Sequence, residues 1–172
     1  MREISTKRRQ GFTLIEVLVV VALLGIMSLA IYPSINNTLE TRNLENSARE
    51  ILTSLQTAKF QAVKEKLFHR VRFFMQDNLW MYTVERRIDA ATWERVPGLV
   101  FKTVPAQFNF TLNFPSDMLT FSPMGVVVDF DPTMNSITLQ SPKLYRKNKP
   151  DLRIVSVFAG GSVRYEEAET GG

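Results

Sequence analysis

Two hydrophobic rhythms run along the chain. Residues 12–32, FTLIEVLVVVALLGIMSLAIY, form an apolar run of 21 residues in which Glu16 is the only charge. A helix of that length is about 30 Å long, at about 1.5 Å per residue, which matches the hydrocarbon core of a bilayer. Beyond it the pattern becomes amphipathic. Ile35, Leu39, Leu44, Ala48, Ile51, Leu52, Leu55, Ala58, Ala62 and Val63 recur at steps near three and four, with Glu40, Arg42, Glu45, Arg49, Glu50, Lys59 and Lys64 between them. The spacing predicts one long helix over residues 12–66. Pro33, Ser34, Asn36 and Asn37 are poor helix formers and mark a kink or a melted turn within it.

After residue 66 the rhythm shortens. Runs rich in β-branched and aromatic residues at 68–75, 79–85, 99–104, 108–114, 118–121, 125–130, 137–139, 152–158 and 162–165 predict strands. Asp77-Asn78, Pro97-Gly98, Pro115-Ser116-Asp117, Ser122-Pro123, Pro132 and Pro142 separate them, and Gly160-Gly161 predicts a tight terminal hairpin. Residues 166–172 read as a frayed acidic tail. A long helix followed only by short strands is α+β: one N-terminal helix, its first half transmembrane, packed on an antiparallel β-rich domain.

Charge changes the picture only at the start. The net charge is +4, and residues 1–11 carry +3 of it through Arg2, Lys7, Arg8 and Arg9 against Glu3, leaving +1 for the rest. A basic segment before an apolar one stays cytoplasmic and sends the downstream chain across the membrane. The whole-chain charge is therefore no argument for nucleic acid. There is no cysteine, which excludes a disulfide framework, thiolate metal sites and a cysteine nucleophile.

Ser28-Leu29-Ala30 fits a secretory cleavage site, the competing reading. The apolar run is longer than the roughly 7–15 residues such a signal needs, and a carboxylate near its start has no place there. An ionised carboxylate in lipid costs about 2.5–3.5 kcal/mol, so Glu16 calls for a partner, or for a position at the headgroup boundary. Arg8-Arg9-Gln10-Gly11-Phe12-Thr13-Leu14-Ile15-Glu16, followed by the apolar run and Pro33, resembles the processing motif of type IV pilins and type II secretion pseudopilins.

The resemblance implies cleavage by prepilin peptidase between Gly11 and Phe12, N-methylation of Phe12, and pairing of Glu16 with the amino terminus of a neighbouring subunit. It divides the chain into a cleaved leader (1–11), a transmembrane and filament-core helix (12–33), the amphipathic half of the same helix (34–66) and a β-rich domain (67–172). The partners it implies are prepilin peptidase, other pilins or pseudopilins in a filament, and the inner membrane. The N-terminus would be cytoplasmic and the C-terminal domain periplasmic. Leu119-Thr120-Phe121-Ser122-Pro123-Met124-Gly125 and Gly160-Gly161-Ser162-Val163-Arg164 resemble the GspH/FimT group of minor subunits more narrowly. That group usually has arginine soon after the glycine, where this chain has Ser162 and then only Arg164.

No catalytic constellation, cofactor motif or metal site emerges, so a membrane-anchored enzyme is the weakest reading. His69, the only histidine, reads as a surface or edge-strand side chain. Asp129 and Asp131 would share one side of a strand, too few carboxylates for a Ca²⁺ site. The basic stretch 143–153 offers an alternative. Lys143, Arg146, Lys147, Lys149 and Arg153, with Tyr145 interleaved and Arg164 nearby in the next strand, are candidate DNA contacts for a DNA-uptake minor pilin. Against this stands an ordinary solvated loop.

Overall fold

The computed structural model describes residues 12–171, and of residues 28–35 the backbone alone. The leader with Gly11, and the side chains of Ser28, Leu29, Ala30 and Pro33, lie outside the described residues. The chain divides into two compact units, Met1–Thr38 and Leu39–Gly172.

The helix α1 runs unbroken over Leu14–Glu65, 52 residues. Its backbone stays helical across residues 33–37, so the expected melted turn is absent. Propensity is a weak prior, and once a helix is nucleated a few poor formers do not end it. In the second unit its buried side chains are Glu40, Leu44, Ala48, Ile51, Leu55, Ala58 and Ala62, with Ser54 beside them, one stripe at steps of three and four. Leu39 and Val63, which the sequence pattern put on this stripe, are 50% and 48% exposed. Counting back four from Leu44 reaches Glu40, so the stripe ends in a buried carboxylate.

The strands are β1 (His69–Gln76), β2 (Leu79–Arg87), β3 (Trp93–Arg95), β4 (Lys102–Thr103), β5 (Asn109–Asn113), β6 (Met118–Phe121), β7 (Ser136–Gln140), β8 (Leu152–Val157) and β9 (Val163–Ala168), with a short helix α2 (Pro142–Tyr145) before β8. One sheet has the order β3-β2-β1-β6, with β4 also on β2, and the other has the order β5-β7-β8-β9. Their pairings are antiparallel. The architecture is α+β, a long helix followed by antiparallel sheets. Asp77 and Asn78 turn the β1–β2 hairpin with φ of 51° and 61°, the left-handed pair that a type I′ turn requires.

Four details differ from the sequence reading. Residues 125–130 form no strand and reach β6 only by an isolated Phe121–Val127 bridge. The three-residue β3 and the helix α2 were not anticipated. The acidic tail is not frayed, because Glu166 and Glu167 lie within β9 and the Thr170 hydroxyl donates to Asp151 Oδ2 at 2.7 Å.

One core holds the α1 stripe against Val71, Phe73, Tyr82 and Phe121 of the first sheet and Ile137, Leu139, Val155 and Val157 of the second. One corner of it is closed backbone to backbone. The Gly160-Gly161 turn between β8 and β9 sits against the Phe121–Gly125 segment, and Val127 N–H donates to Ala159 O at 2.9 Å. Lys59 of α1 donates to Gly160 O at 3.2 Å. A Cβ on Gly161, whose φ is +71°, would stand 2.0 Å from Gly125 O. The two segments that resemble the GspH/FimT group are thus a single contact.

That contact separates two glycines of similar backbone angle. Gly161→Ala should cost well over about 2 kcal/mol, since backbone would have to move as well as adopt a left-handed alanine. Gly98→Ala, at φ +82° with open space around it, should cost only the conformational part, about 1 kcal/mol. Chemical denaturation of the two variants measures this, and equal losses would remove the close approach as the cause.

Candidate functional site

The start of α1 is built to stay helical while exposing grease. Thr13 is its N-cap: its Oγ1 accepts from Glu16 N–H at 3.3 Å, and its carbonyl accepts from Glu16 N–H at 3.1 Å and Val17 N–H at 3.3 Å. Thr13-x-x-Glu16 has the spacing of a capping box, a second use for Glu16 that its spacing in the sequence already offered. A carboxylate in the first turn also complements the positive end of the helix dipole. Among the described residues no cation pairs with it.

Around that carboxylate every large apolar side chain from Phe12 to Met27 is between 49% and 83% exposed. Full burial of each is worth about 1.5–3 kcal/mol, so twelve such side chains left in water would oppose solubility by roughly 10 kcal/mol or more. A helix apolar all round belongs inside protein or lipid. Among the described residues no helix is long and apolar enough to cross a membrane. The apolar side chains described within the first unit's apolar run end at Met27, and residues 14–27 span only about 21 Å. The rest of the expected span, through residue 33, falls largely on side chains outside the described residues.

The basic stretch 143–153 does not form one surface. Ser141 caps α2 by accepting from Leu144 N–H at 3.3 Å, with Pro142 in the first turn, which buries Leu144 completely. The Ser141 hydroxyl also donates to Glu40 Oε1 at 2.9 Å, and Lys143 lies 3.5 Å from Glu40 Oε2. The carboxylate at the end of the α1 stripe therefore holds this segment. Lys143, Arg146, Lys147 and Lys149 are exposed, and Arg146 Nε donates to Pro142 O at 3.2 Å.

Arg153 departs from the sequence expectation. It is 1% exposed, donates to Leu152 O at 2.8 Å and lies 3.4 Å from Glu167. Paired with Leu139 and Glu167 in the ladder, it points inward and cannot meet a phosphate. Arg164 pairs with Ser156, three residues from Arg153 along β8, so it lies on the opposite face of the sheet. There it binds Glu166 at 2.8 Å.

Asp151 fixes the far end of the segment. It is 1% exposed and accepts from Thr170 N–H at 2.9 Å, the Thr170 hydroxyl at 2.7 Å and the Gln140 amide at 3.0 Å. Desolvation pushes its pKa up, but these hydrogen bonds to the charged form outweigh it, and the net shift is below the ordinary carboxylate range.

Two other candidates are also placed. His69 is fully buried on β1, an interior strand, which corrects the surface reading. Its Nδ1 lies 3.2 Å from Leu67 O. A carbonyl only accepts, so Nδ1 is the donor in that contact. Nε2 faces Glu65 at 3.4 Å. Asp129 sits in a turn at φ 54°, and Asp131 accepts from Thr133 N–H at 2.8 Å and the Thr133 hydroxyl at 2.7 Å. The two do not share a strand face, because no strand forms there.

Residues 6–32 match the prokaryotic N-terminal methylation motif. Over 91 residues, 53% of this chain, the sequence is 30% identical to the type II secretion system protein H of Aeromonas hydrophila; the match spans about half, 48%, of that relative's length. The fold is similar to the type IV minor pilin FimU of Pseudomonas aeruginosa, with TM-score 0.53 and 20% identity over 74% of this chain and 90% of that one. It is also similar to the minor pseudopilin EpsH from the type 2 secretion system of Vibrio cholerae, with TM-score 0.54 and 15% identity over 73% and 97% of the two chains.

The placement of Arg153 and Asp151 sets two expected outcomes. Arg153→Ala should destabilise the fold by about 3 kcal/mol, since it leaves Glu167 and the Pro150 and Leu152 carbonyls without their donor, whereas Lys149→Ala should change it by less than about 0.5 kcal/mol. Asp151, with its folded pKa lowered, contributes stability that is present above the unfolded value near 3.9 and is lost as pH falls through the folded value. Asp151→Asn should remove that portion of the acid limb, so the gap between the urea midpoints of variant and parent should narrow as pH falls through the folded value. Parallel curves would show that Asp151 has no such role.

Proposed function

We propose that this chain is a non-catalytic minor pilin-type subunit, cut by prepilin peptidase between Gly11 and Phe12 and assembled through its N-terminal helix into a type II secretion pseudopilus or type IV pilus. The observation that carries the reading is the methylation motif at residues 6–32 lying over a helix start whose apolar side chains are exposed on all sides. The pilin-type fold of the neighbours, one from each kind of system, agrees with it.

The physical sequence of events is simple. The basic leader holds the precursor in the inner membrane with its N-terminus cytoplasmic and its β-rich unit periplasmic. Glycine at position 11 leaves an unobstructed extended backbone at the scissile bond. Cleavage makes a new amine at Phe12, which is then methylated, four residues from Glu16. In a filament, a neighbour's Phe12 amine supplies a cation to Glu16, which pairs with none among the described residues. The apolar side chains pass from lipid to protein, so little hydrophobic free energy opposes extraction. Neither that pairing nor that transfer requires a catalytic group in the β-rich unit.

Intact mass of the chain from a host with prepilin peptidase should begin at N-methylated Phe12, and Gly11→Ala should remain uncut. A mature start at Ile31 or an intact Met1 would overturn the proposal. Glu16→Gln separates the two uses of that side chain, because glutamine also serves in a capping box. The variant should be processed and helical as the parent is, yet enter filaments at least about tenfold less well. Normal incorporation would confine Glu16 to capping.

A further inference from the structure

The outward face of the first sheet carries a charged array that the filament reading does not use. Residues alternating with the buried Val71, Phe73, Tyr82 and Val84 point away from the core. Among them are Arg70 and Arg72 on β1, Glu85 and Arg87 on β2, and Arg95 on β3. The register places Arg70 opposite Glu85 and Glu85 opposite Arg95. The register thus sets four arginines and one carboxylate on the same face.

Glu85 is already committed. Arg70 reaches its Oε2 through Nε and NH2, both at 2.6 Å, and Arg72 NH1 lies 3.4 Å from its Oε1. Arg87 and Arg95 have no carboxylate partner among the described residues. They are nevertheless held: the Arg87 guanidinium lies 3.8 Å from the Phe68 ring centroid and that of Arg95 lies 4.8 Å from Phe101. Arg70 stacks on Trp93 at 4.2 Å and Arg72 on Phe74 at 5.3 Å in the same way. A planar cation fixed over a ring keeps its donor edge presented at small entropic cost. Beneath Arg72, and opposite it in the register, Thr83 is 2% exposed with a hydroxyl that has no partner.

We propose that this face docks an acidic segment of a protein partner. The array already shows its geometry toward a carboxylate in the two short Arg70–Glu85 bonds. Arg87 lies two residues along β2 from Glu85, the register partner of Arg95, so the two uncommitted cations are diagonal neighbours on one face, within reach of carboxylates at alternate positions of an extended peptide. Single-stranded nucleic acid fits less well, since bases stack on open aromatic rings, and Phe68, Phe74, Trp93 and Phe101 each already carry a guanidinium. The inference does not depend on the filament proposal, because the array belongs wholly to the second unit.

The test is fluorescence anisotropy of a labelled peptide of alternating Glu and Ser with the purified full chain in neutral detergent at low salt. Arg87→Gln/Arg95→Gln should weaken binding at least about tenfold, while Lys64→Gln/Lys149→Gln, the same loss of charge elsewhere, should change it by less than about twofold. Circular dichroism checks that both fold. Arg87→Lys/Arg95→Lys, which keeps the charge and loses the planar fork, should fall between parent and Gln variant and gives the answer if the Gln variant does not fold. Absence of binding, equal weakening in both double variants, or tighter binding of an oligonucleotide of the same length would overturn the proposal.

Discussion

Everything in the β-rich unit is referenced to one stripe of α1. Leu44, Ala48, Ile51, Leu55, Ala58 and Ala62 are at most 1% exposed, and both sheets contribute to the core they enter. Alternating large residues with alanine keeps the stripe narrow and lets strands approach the helix closely. Because the stripe continues at the same spacing to Glu40, its last position is a carboxylate within the core's edge. A buried charge must be paired, and Ser141 and Lys143 supply the partners. The start of α2, where the segment between β7 and β8 begins, is thus tied to one residue on the helix.

The same helix meets a different requirement at its start. From Leu14 to Met27 there is no polar stripe at all, and Thr13 and Glu16 concentrate the polar chemistry at the helix end. In water such a segment would be a liability; in lipid or among like helices it is neutral. Capping matters there because a helix end in low dielectric has no solvent to satisfy its free N–H groups. Glu16 serves that end electrostatically whether or not a neighbour's amine is present. Its conversion to glutamine therefore isolates the charge from the cap.

Much of this was legible in the sequence where a local rule dominates. The helix, the break at Asp77-Asn78 and the Gly160-Gly161 hairpin each rest on periodicity or on a backbone angle that few residues adopt, and each formed. The basic stretch misled because composition is one-dimensional. Ser141-Pro142 is a cap followed by proline at the first turn, a helix-start signal that stands directly before the run of cations. Arg153 was counted with its neighbours in sequence, yet the two-residue alternation of β8 turned it into the core. Likewise Glu166 and Glu167 suggested a tail, but β9 extends through them because β8 offers partners as far as Leu152. β3 is three residues of mixed polarity, and only its pairing with β2 makes it a strand.

The contrast between the two basic regions shows what pairing adds to composition. Residues 143–153 hold many cations in sequence, and the fold buries Arg153, sets Lys143 3.5 Å from Glu40 and leaves Arg146, Lys147 and Lys149 exposed. Arg70, Arg72, Arg87 and Arg95 come from three strands, and antiparallel register gathers them on one face. Cation-π stacking then does what sequence proximity could not: it seats each of the four guanidinium groups over a ring before any partner arrives. Affinity depends on such preorganisation more than on the number of charges, since flexible side chains lose entropy on binding that these have already lost. For that reason the sheet face, rather than the longer basic run, is where an anionic partner would be recognised by geometry and not by charge alone.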